Sequence, residues 1–253
     1  MVCLFVGDLH CGSTCALAPA KKIAGQQQAW LYAQWQTTLT RTRALAKREG
    51  IILMLGGDLI DGPQHHAHYQ TWGNHREQRD GAVELLMPFV NLAEATYSIA
   101  GTDAHVGDDG EDDRTVAQEL GARDLGHRAR VEVGGRILDW AHHGLSVGRL
   151  PWTAANGMLS ACRVAALSPQ PPALIVSHHA HRSPTPVTLG GVSAAICPCW
   201  QANTSYGFQV APRLSVDIGA LLWRPETMEI ERWVYGVKEK IVRLGNNSRH
   251  AAG

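Results

Sequence analysis

The chain has 253 residues, 45% of them hydrophobic and 18% charged, which excludes an intrinsically disordered polypeptide and allows one large domain or two small ones. Lys plus Arg and Asp plus Glu both total 23, so no global basic field holds nucleic acid nonspecifically, although a local patch remains open. Residues 1–6 carry no positive leader, no apolar run approaches the roughly 18 residues of a membrane span, and a chain of this length needs no disulfides. A cytoplasmic protein with reduced thiols and no membrane partner is expected. The 13 histidines fall in several separate clusters, which excludes a tag and points to a metal site or a pH device.

In chain order, residues 2–6 form a short apolar run that ends at Gly7-Asp8, the pattern of a buried strand with polar residues at its carboxyl end. Residues 26–49 read as a helix with Trp30, Leu31, Trp35, Leu39 and Leu45 on or near one face. A second apolar run, 51–55, ends at Gly57-Asp58, and a loop rich in His and Gln follows. A helix over 78–95 and a strand over 96–100 lead to Gly101. Strand–helix–strand–helix–strand implies parallel neighbours, with ligands beyond the carboxyl ends of the strands. The second half changes character. Residues 130–133 and 136–141 flank Gly134-Gly135 as a hairpin that runs into His142-His143-Gly144. A helix over 153–167, a strand over 173–177 ending in His178-His179-Ala180-His181, and a closing hairpin over 220–223 and 228–235 complete a mixed or antiparallel sheet. Two sheets with helices outside them accommodate both halves.

Each buried strand is thus followed by groups able to do chemistry: Asp8 and His10, Asp58, Asp103 and His105, His142 and His143, and His178, His179 and His181. Carboxylate oxygen and imidazole nitrogen suit Zn, Mn and Fe, and one carboxylate can bridge two ions. Two such ions about 3.5–4 Å apart can clamp a phosphoryl group and deprotonate a water near neutral pH.

The ordered set Gly7-Asp8-Leu9-His10, Gly57-Asp58 (with Asp61 following), His143-Gly144 and His179-Ala180-His181 resembles four of the five motifs of the calcineurin-like metallophosphoesterases, over roughly residues 2–240. The segment from Gly7 to Ser13 looks like phage and prophage members of that family. The resemblance implies a four-layer α/β/β/α sandwich of two mixed sheets flanked by helices, as one domain over 1–245 with a flexible tail over 246–253. It implies two divalent metal ions (Mn, Fe or Zn, with Mn favoured): one held by Asp8, His10, Asp58 and His181, the other by Asp58, His143, His179 and a ligand from the third motif, with Asp58 bridging. Hydrolysis of a phosphodiester, in preference to a monoester, by a hydroxide held between the ions is the implied activity. A small phosphoester such as a nucleotide is the implied substrate. A nuclease of the same fold and a non-catalytic metal-dependent binding module stay open as alternatives, and the oligomeric state is not indicated.

Two departures from the family pattern bear on this. His178 stands where the family has Gly, which is tolerable if the backbone there does not need positive φ. The third motif reads Gly101-Thr102-Asp103-Ala104-His105, without the usual Asn. His105 is the candidate acid for the leaving group, or a replacement ligand, and Asp103 is a second replacement candidate. Gly73-Asn74-His75 spells the third motif too, but follows Asp58 with no room for a helix and strand between. His142 and His178, as strand neighbours of proposed ligands, are expected to be core or supporting groups. His65, His66 and His68 read as a solvated loop or as lining of the cleft. The acidic residues Asp108, Asp109, Glu111, Asp112 and Asp113 read as a solvated loop, with a cation site the alternative. Arg76, Arg149 and Arg182 follow site loops and read as surface, with phosphate binding the alternative. Trp30, Trp35, Trp140, Trp223 and Trp233 read as core, and Trp72 and Trp152 as core or lid, with base stacking the alternative.

Overall fold

The computed structural model describes residues 1–62, 74–148, 150–202 and 216–236. His65, His66, His68, Trp72, Arg149 and the tail 246–253 lie outside the described residues. Two mixed sheets lie face to face with helices on both outer sides. The first half supplies β1 (Val2–Val6), α1 (Gln26–Ala46), β2 (Ile51–Leu55), α2 (His75–Val90), β3 (Ala95–Ser98), α3 (Asp103–Val106), α4 (Glu111–Glu119) and β4 (Arg123–Asp124). The second supplies β5 (Arg128–Val133), β6 (Arg136–Ala141), α5 (Asn156–Ala165), β7 (Leu174–Ser177), β8 (Val187–Leu189), β9 (Val192–Ile196), β10 (Ile218–Arg224) and β11 (Glu229–Tyr235). One sheet has the order β11-β10-β1-β2-β3-β4 and the other β5-β6-β7-β9-β8. Strands β1 to β4 are parallel, as are β6, β7 and β9, so their carboxyl ends open toward one edge. The hairpin β8–β9 has no counterpart in the sequence-based expectation, and the strand expected over 96–100 is β3 at Ala95–Ser98.

Alternation along the strands sorts the side chains into three apolar layers. Val2, Leu4 and Val6 of β1 face α1, α2 and α4, where they meet Leu31, Trp35, Leu39, Leu86, Phe89 and Val116. Cys3 and Phe5 face the other way, into the layer between the sheets, against Leu138, Trp140, Val176, Leu221 and Trp223. Val192, Ala194 and Ile196 of β9 meet Met158 and Cys162 of α5 on the outer side of the second sheet. The apolar run in β1 is unbroken because both its faces are covered, and all five of its residues are buried. Trp35, Trp140, Trp223 and Trp233 are core residues and Trp30 is half-buried, whereas Trp152 is 76% exposed and belongs to no core layer. No helix among the described residues is long and apolar enough to cross a membrane.

Helix α2 begins three residues earlier than the hydrophobic pattern suggests because Asn74 caps it. The Asn74 side chain accepts from the Glu77 backbone N–H at 2.9 Å and donates to the Glu77 carboxylate at 3.0 Å. His75 and Arg79 both pair with Asp112, which ties α2 to α4. Asn74-His75 therefore spells a ligand motif while serving as a helix start.

Phe5 is fully buried, with its ring edge-on to Trp140 at a centroid distance of 6.1 Å. Phe5→Ala should lower stability by about 3–5 kcal/mol in urea unfolding. Val234→Ala, at a position 38% exposed, should change it by less than about 0.5 kcal/mol. Equal effects would place the inter-sheet layer wrongly.

Candidate metal centre

The residues that follow β1, β2, β3, β6 and β7 meet at one edge of the two sheets. The meeting is enforced by the backbone. Asp8 N–H donates to Gly57 O and His10 N–H to Asp58 O, both at 2.9 Å, so the loops after β1 and β2 are zipped together beyond the sheet. Trp200 N–H donates to Asp8 O and Asp217 N–H to His181 O, again at 2.9 Å. Among the described residues, seven that are not glycine have positive φ, and five of these are Asp8 (49°), His10 (45°), Asp58 (48°), His179 (63°) and His181 (53°). Left-handed backbone costs an ordinary L-residue about 1 kcal/mol or more. Such conformations persist where the surroundings over-determine them, and here they turn carboxylates and imidazoles toward one another.

The donor atoms form four groups, each within 4.8 Å: Asp8, His10 and His181; His10, Asp58 and His105; Asp8, Asp58 and His142; and His142, His143 and His179. His10 Nε2 and His181 Nε2 are 3.1 Å apart, and His181 Nε2 lies 3.5 Å from Asp8 Oδ1. Asp58 Oδ2 lies 4.0 Å from His10 Nε2 on one side and 3.0 Å from His142 Nε2 on the other. The His143 and His179 rings are 4.2 Å apart between centroids, at the open mouth of the site. Thr102 reaches Asp58 through both its backbone N–H (2.6 Å to Oδ1) and its hydroxyl (3.2 Å to Oδ2). Asp8, His10, Asp58, His105 and His181 are thus linked through shared groups, whereas His143 and His179 share a group only with His142, which stands against Asp58, and the Thr102 hydroxyl lies between them and Asp58. Asp103 heads the single turn of α3, is exposed, and belongs to none of the four groups, although its charge reaches His143.

Asp8 and Asp58 are fully buried, which disfavours their charged forms. The histidines around them, His178, His181 and His142 at Asp8 and chiefly His142 at Asp58, outweigh that and hold both carboxyls well below the ordinary range. Burial likewise opposes the charge on His142, but Asp58 against it prevails and its pKa rises to about 10. His10 is pushed down by burial. Desolvation of their inner sides, and then repulsion from neighbouring imidazoles, push His143 and His179 down, His179 to about 4. Ionised carboxylates beside neutral imidazoles with free lone pairs are the donor set a divalent cation requires, and it contains no sulfur. Cys11 and Cys15 share no ligand group among the described residues.

Supporting groups hold these donors in place, and several are invisible in the sequence. Asp113 is not solvated as an acidic run suggests. It is 1% exposed, and its carboxylate accepts from the backbone N–H of Asp58 (2.9 Å), Leu59 (3.0 Å) and Gly101 (2.9 Å). Burial, then the nearby charge of Asp58, pushes its pKa up to about 7. Asp112 is also buried, in its pairs with His75 and Arg79. The remaining members of that run do sit at the surface. His178 does not have positive φ, so it needs no glycine. Its ring instead fills the space over Gly56, where a Cβ would lie 2.0 Å from His178 Cε1. His178 Nε2 accepts from Trp140 Nε1 at 3.1 Å, which leaves its proton on Nδ1, 3.7 Å from Asp8 Oδ2. Asp61 backs His10 (Oδ1 to Nδ1, 3.3 Å) and accepts through its carbonyl from His105 Nδ1 at 2.8 Å. Arg76 is exposed, and Arg182 donates to Gly148 O at 3.0 Å.

No family model and no curated protein matches the chain. Among solved structures, it is similar to a single mutant of Vps29 from Entamoeba histolytica, at 14% identity and a TM-score of 0.44, over 93% of this chain and all of that one (100%). It is similar to a novel archaeal phosphodiesterase at 10% identity and 0.46, covering 93% and 100%. It is also similar to Vps29 from Chaetomium thermophilum at 11% and 0.44, covering 98% and 100%. At these values none of them carries an argument about the family, activity or ligands of this chain.

Gly56→Ala sets a methyl group against the His178 ring and should cost about 1–3 kcal/mol by overpacking. Gly236→Ala, with open space around its Cβ, should be neutral within about 0.5 kcal/mol. Thermal unfolding of both variants checks the packing beneath the site.

Proposed function

We propose that the protein is a calcineurin-like metallophosphoesterase that hydrolyses a small phosphodiester, a nucleotide derivative being the preferred class, with two divalent ions, Mn favoured. The observation that carries this reading is the convergence of five strand-end loops on two buried carboxylates ringed by imidazoles, with Asp8, His10, Asp58, His179 and His181 all held in left-handed backbone. Asp8, His10, Asp58 and His181 would hold one ion, and Asp58, His143 and His179 the other. Bound there, the ions would neutralise phosphate oxygens and supply a hydroxide at neutral pH. His105 Nδ1 donates to the Asp61 carbonyl at 2.8 Å, so Nε2 is the nitrogen that would take up a second proton and, from the imidazolium, pass it to the leaving oxygen. The exposed edges of His143 and His179 face the side from which substrate would enter. Asp61, fixed by Gln201 Nε2 at 3.3 Å, orients both His10 and His105.

The chromogenic diester bis(p-nitrophenyl) phosphate and the corresponding monoester, assayed with Mn-loaded protein, test the activity. Diester turnover should exceed monoester turnover, and His105→Ala should lower it by about 10²–10⁴-fold while metal content stays at two ions per chain. Asp58→Ala should lose metal as well as activity. Metal-loaded protein that binds diesters without turnover would make it a binding module, and cleavage of DNA or RNA in preference to small diesters would make it a nuclease.

A further inference from the structure

Thr102 stands where the third motif of the resembled family has its Asn, and its side chain occupies an unusual position. Its hydroxyl oxygen lies 3.2 Å from Asp58 Oδ2, 3.4 Å from His143 Nε2 and 3.4 Å from His179 Nδ1. A hydroxyl has one proton to give, so it can serve at most one of these three as donor. The imidazole contacts are longer than the usual hydrogen bond, and neither holds the threonine in place. Its place is fixed instead through the backbone, by Thr102 N–H on Asp58 Oδ1 and Gly101 N–H on Asp113, at 2.6 and 2.9 Å. Spacings of this size have another meaning. Donor atoms that each lie about 2.1 Å from one ion are about 3.0 Å apart at adjacent octahedral corners and about 3.4 Å apart at tetrahedral ones.

We propose that Thr102 Oγ1 is itself a ligand of the second cation, completing a set of one carboxylate (Asp58), two imidazoles (His143 and His179) and one neutral hydroxyl. This rests on the reading of the site as a two-metal centre. The chemistry of the two donor sets then differs. The first contains two carboxylates, Asp8 and Asp58. The second contains only the shared Asp58, with uncharged donors for the rest. The second ion is therefore the weaker bound of the two. A hydroxyl is a hard oxygen donor akin to water, much as a threonine or serine hydroxyl serves Mg in phosphate-binding loops, so compared with a nitrogen or sulfur donor in its place it shifts the second position toward harder ions such as Mn, while the two imidazoles keep it open to Zn and Fe.

Titration of chelator-stripped full-length protein with Mn²⁺, followed by calorimetry and by the electron paramagnetic resonance of the coupled ion pair, tests this. Wild type should bind two ions in two resolved steps. Thr102→Val, close in shape but without the oxygen, should leave the first step within about 3-fold and weaken the second by at least about 10-fold, with the coupled signal lost at matched Mn²⁺. Thr102→Ser should retain both steps. Thr102→Cys should add a sulfur-to-metal charge-transfer band with Cd²⁺ that wild type lacks, a gain of signal that does not depend on how well the valine variant folds. An unchanged second step in Thr102→Val with no new band in Thr102→Cys overturns the assignment, since Thr102 is then not a ligand. Equal weakening of both steps overturns it in favour of a threonine that only positions Asp58. Wild type that binds fewer than two ions removes the two-metal reading itself, and the assignment with it.

Discussion

Two carboxylates buried within 4.8 Å of each other, Asp8 and Asp58, are the constraint around which the rest of this edge of the protein is arranged. Like charges withdrawn from water repel strongly and are costly to desolvate, and only counter-charges and hydrogen bonds at short range make the arrangement tenable. The chain supplies both. His142 stands against Asp58 and reaches toward Asp8, with its other nitrogen donating to Gly56 O at 2.7 Å. His178 and His181 flank Asp8, whose carboxylate also accepts from the His179 backbone N–H at 3.1 and 3.2 Å. On the proposed reading, divalent cations complete this compensation: His142 remains the counter-charge of the carboxylates, and the neutral imidazoles His10, His143 and His179 offer their lone pairs as ligands.

The same constraint accounts for the backbone. Side chains from five separate loops can share one small volume only if the loops approach closely. Gly56 and Gly101 stand where they do so. A Cβ on Gly101 would fall 2.2 Å from Asp58 Oδ1, so the bridging candidate and the β3 loop are in contact through bare backbone. Asp113 then locks that contact from behind by accepting N–H groups of both loops. The four layers of the fold supply the rigid base: β1, β2 and β3 are parallel and buried, and their ends arrive side by side with little freedom to adjust.

Much of this was legible in the sequence, for a physical reason. Apolar runs that are buried on both faces end abruptly, and the Asp or His that follows is placed by the strand itself. That is why the strand-end groups Asp8, His10, Asp58, Asp103, His105, His142, His143, His178, His179 and His181 could be collected from the sequence, while only the resemblance to the metallophosphoesterase motifs singled out Asp8, His10, Asp58, His143, His179 and His181 among them. What was not legible depends on contacts between distant segments. An acidic stretch such as 108–113 reads as solvated, and nothing local shows that α4 turns Asp113 inward while Asp109 remains outside. His178 looked like a missing glycine, but its ring is accommodated by Gly7 and Gly56, which follow the ends of β1 and β2. Asn74-His75 matched a ligand motif by composition, yet serves as a helix cap and as the partner of the Asp112 carboxylate. Thr102 looked like a lost ligand because only its residue type could be read, not the distance of its oxygen from two imidazoles. The strand-end pattern was local and therefore readable, and the supporting shell was tertiary and was not.

The claim on which all of this rests is that Asp58 lies between two cations. The most direct measurement is anomalous diffraction from crystals of the Mn-loaded protein, recorded on both sides of the Mn absorption edge. Two peaks about 3.5–4 Å apart, with one oxygen of Asp58 in coordination distance of each, are expected. A single peak remote from Asp58, or two peaks neither of which touches it, would contradict the claim.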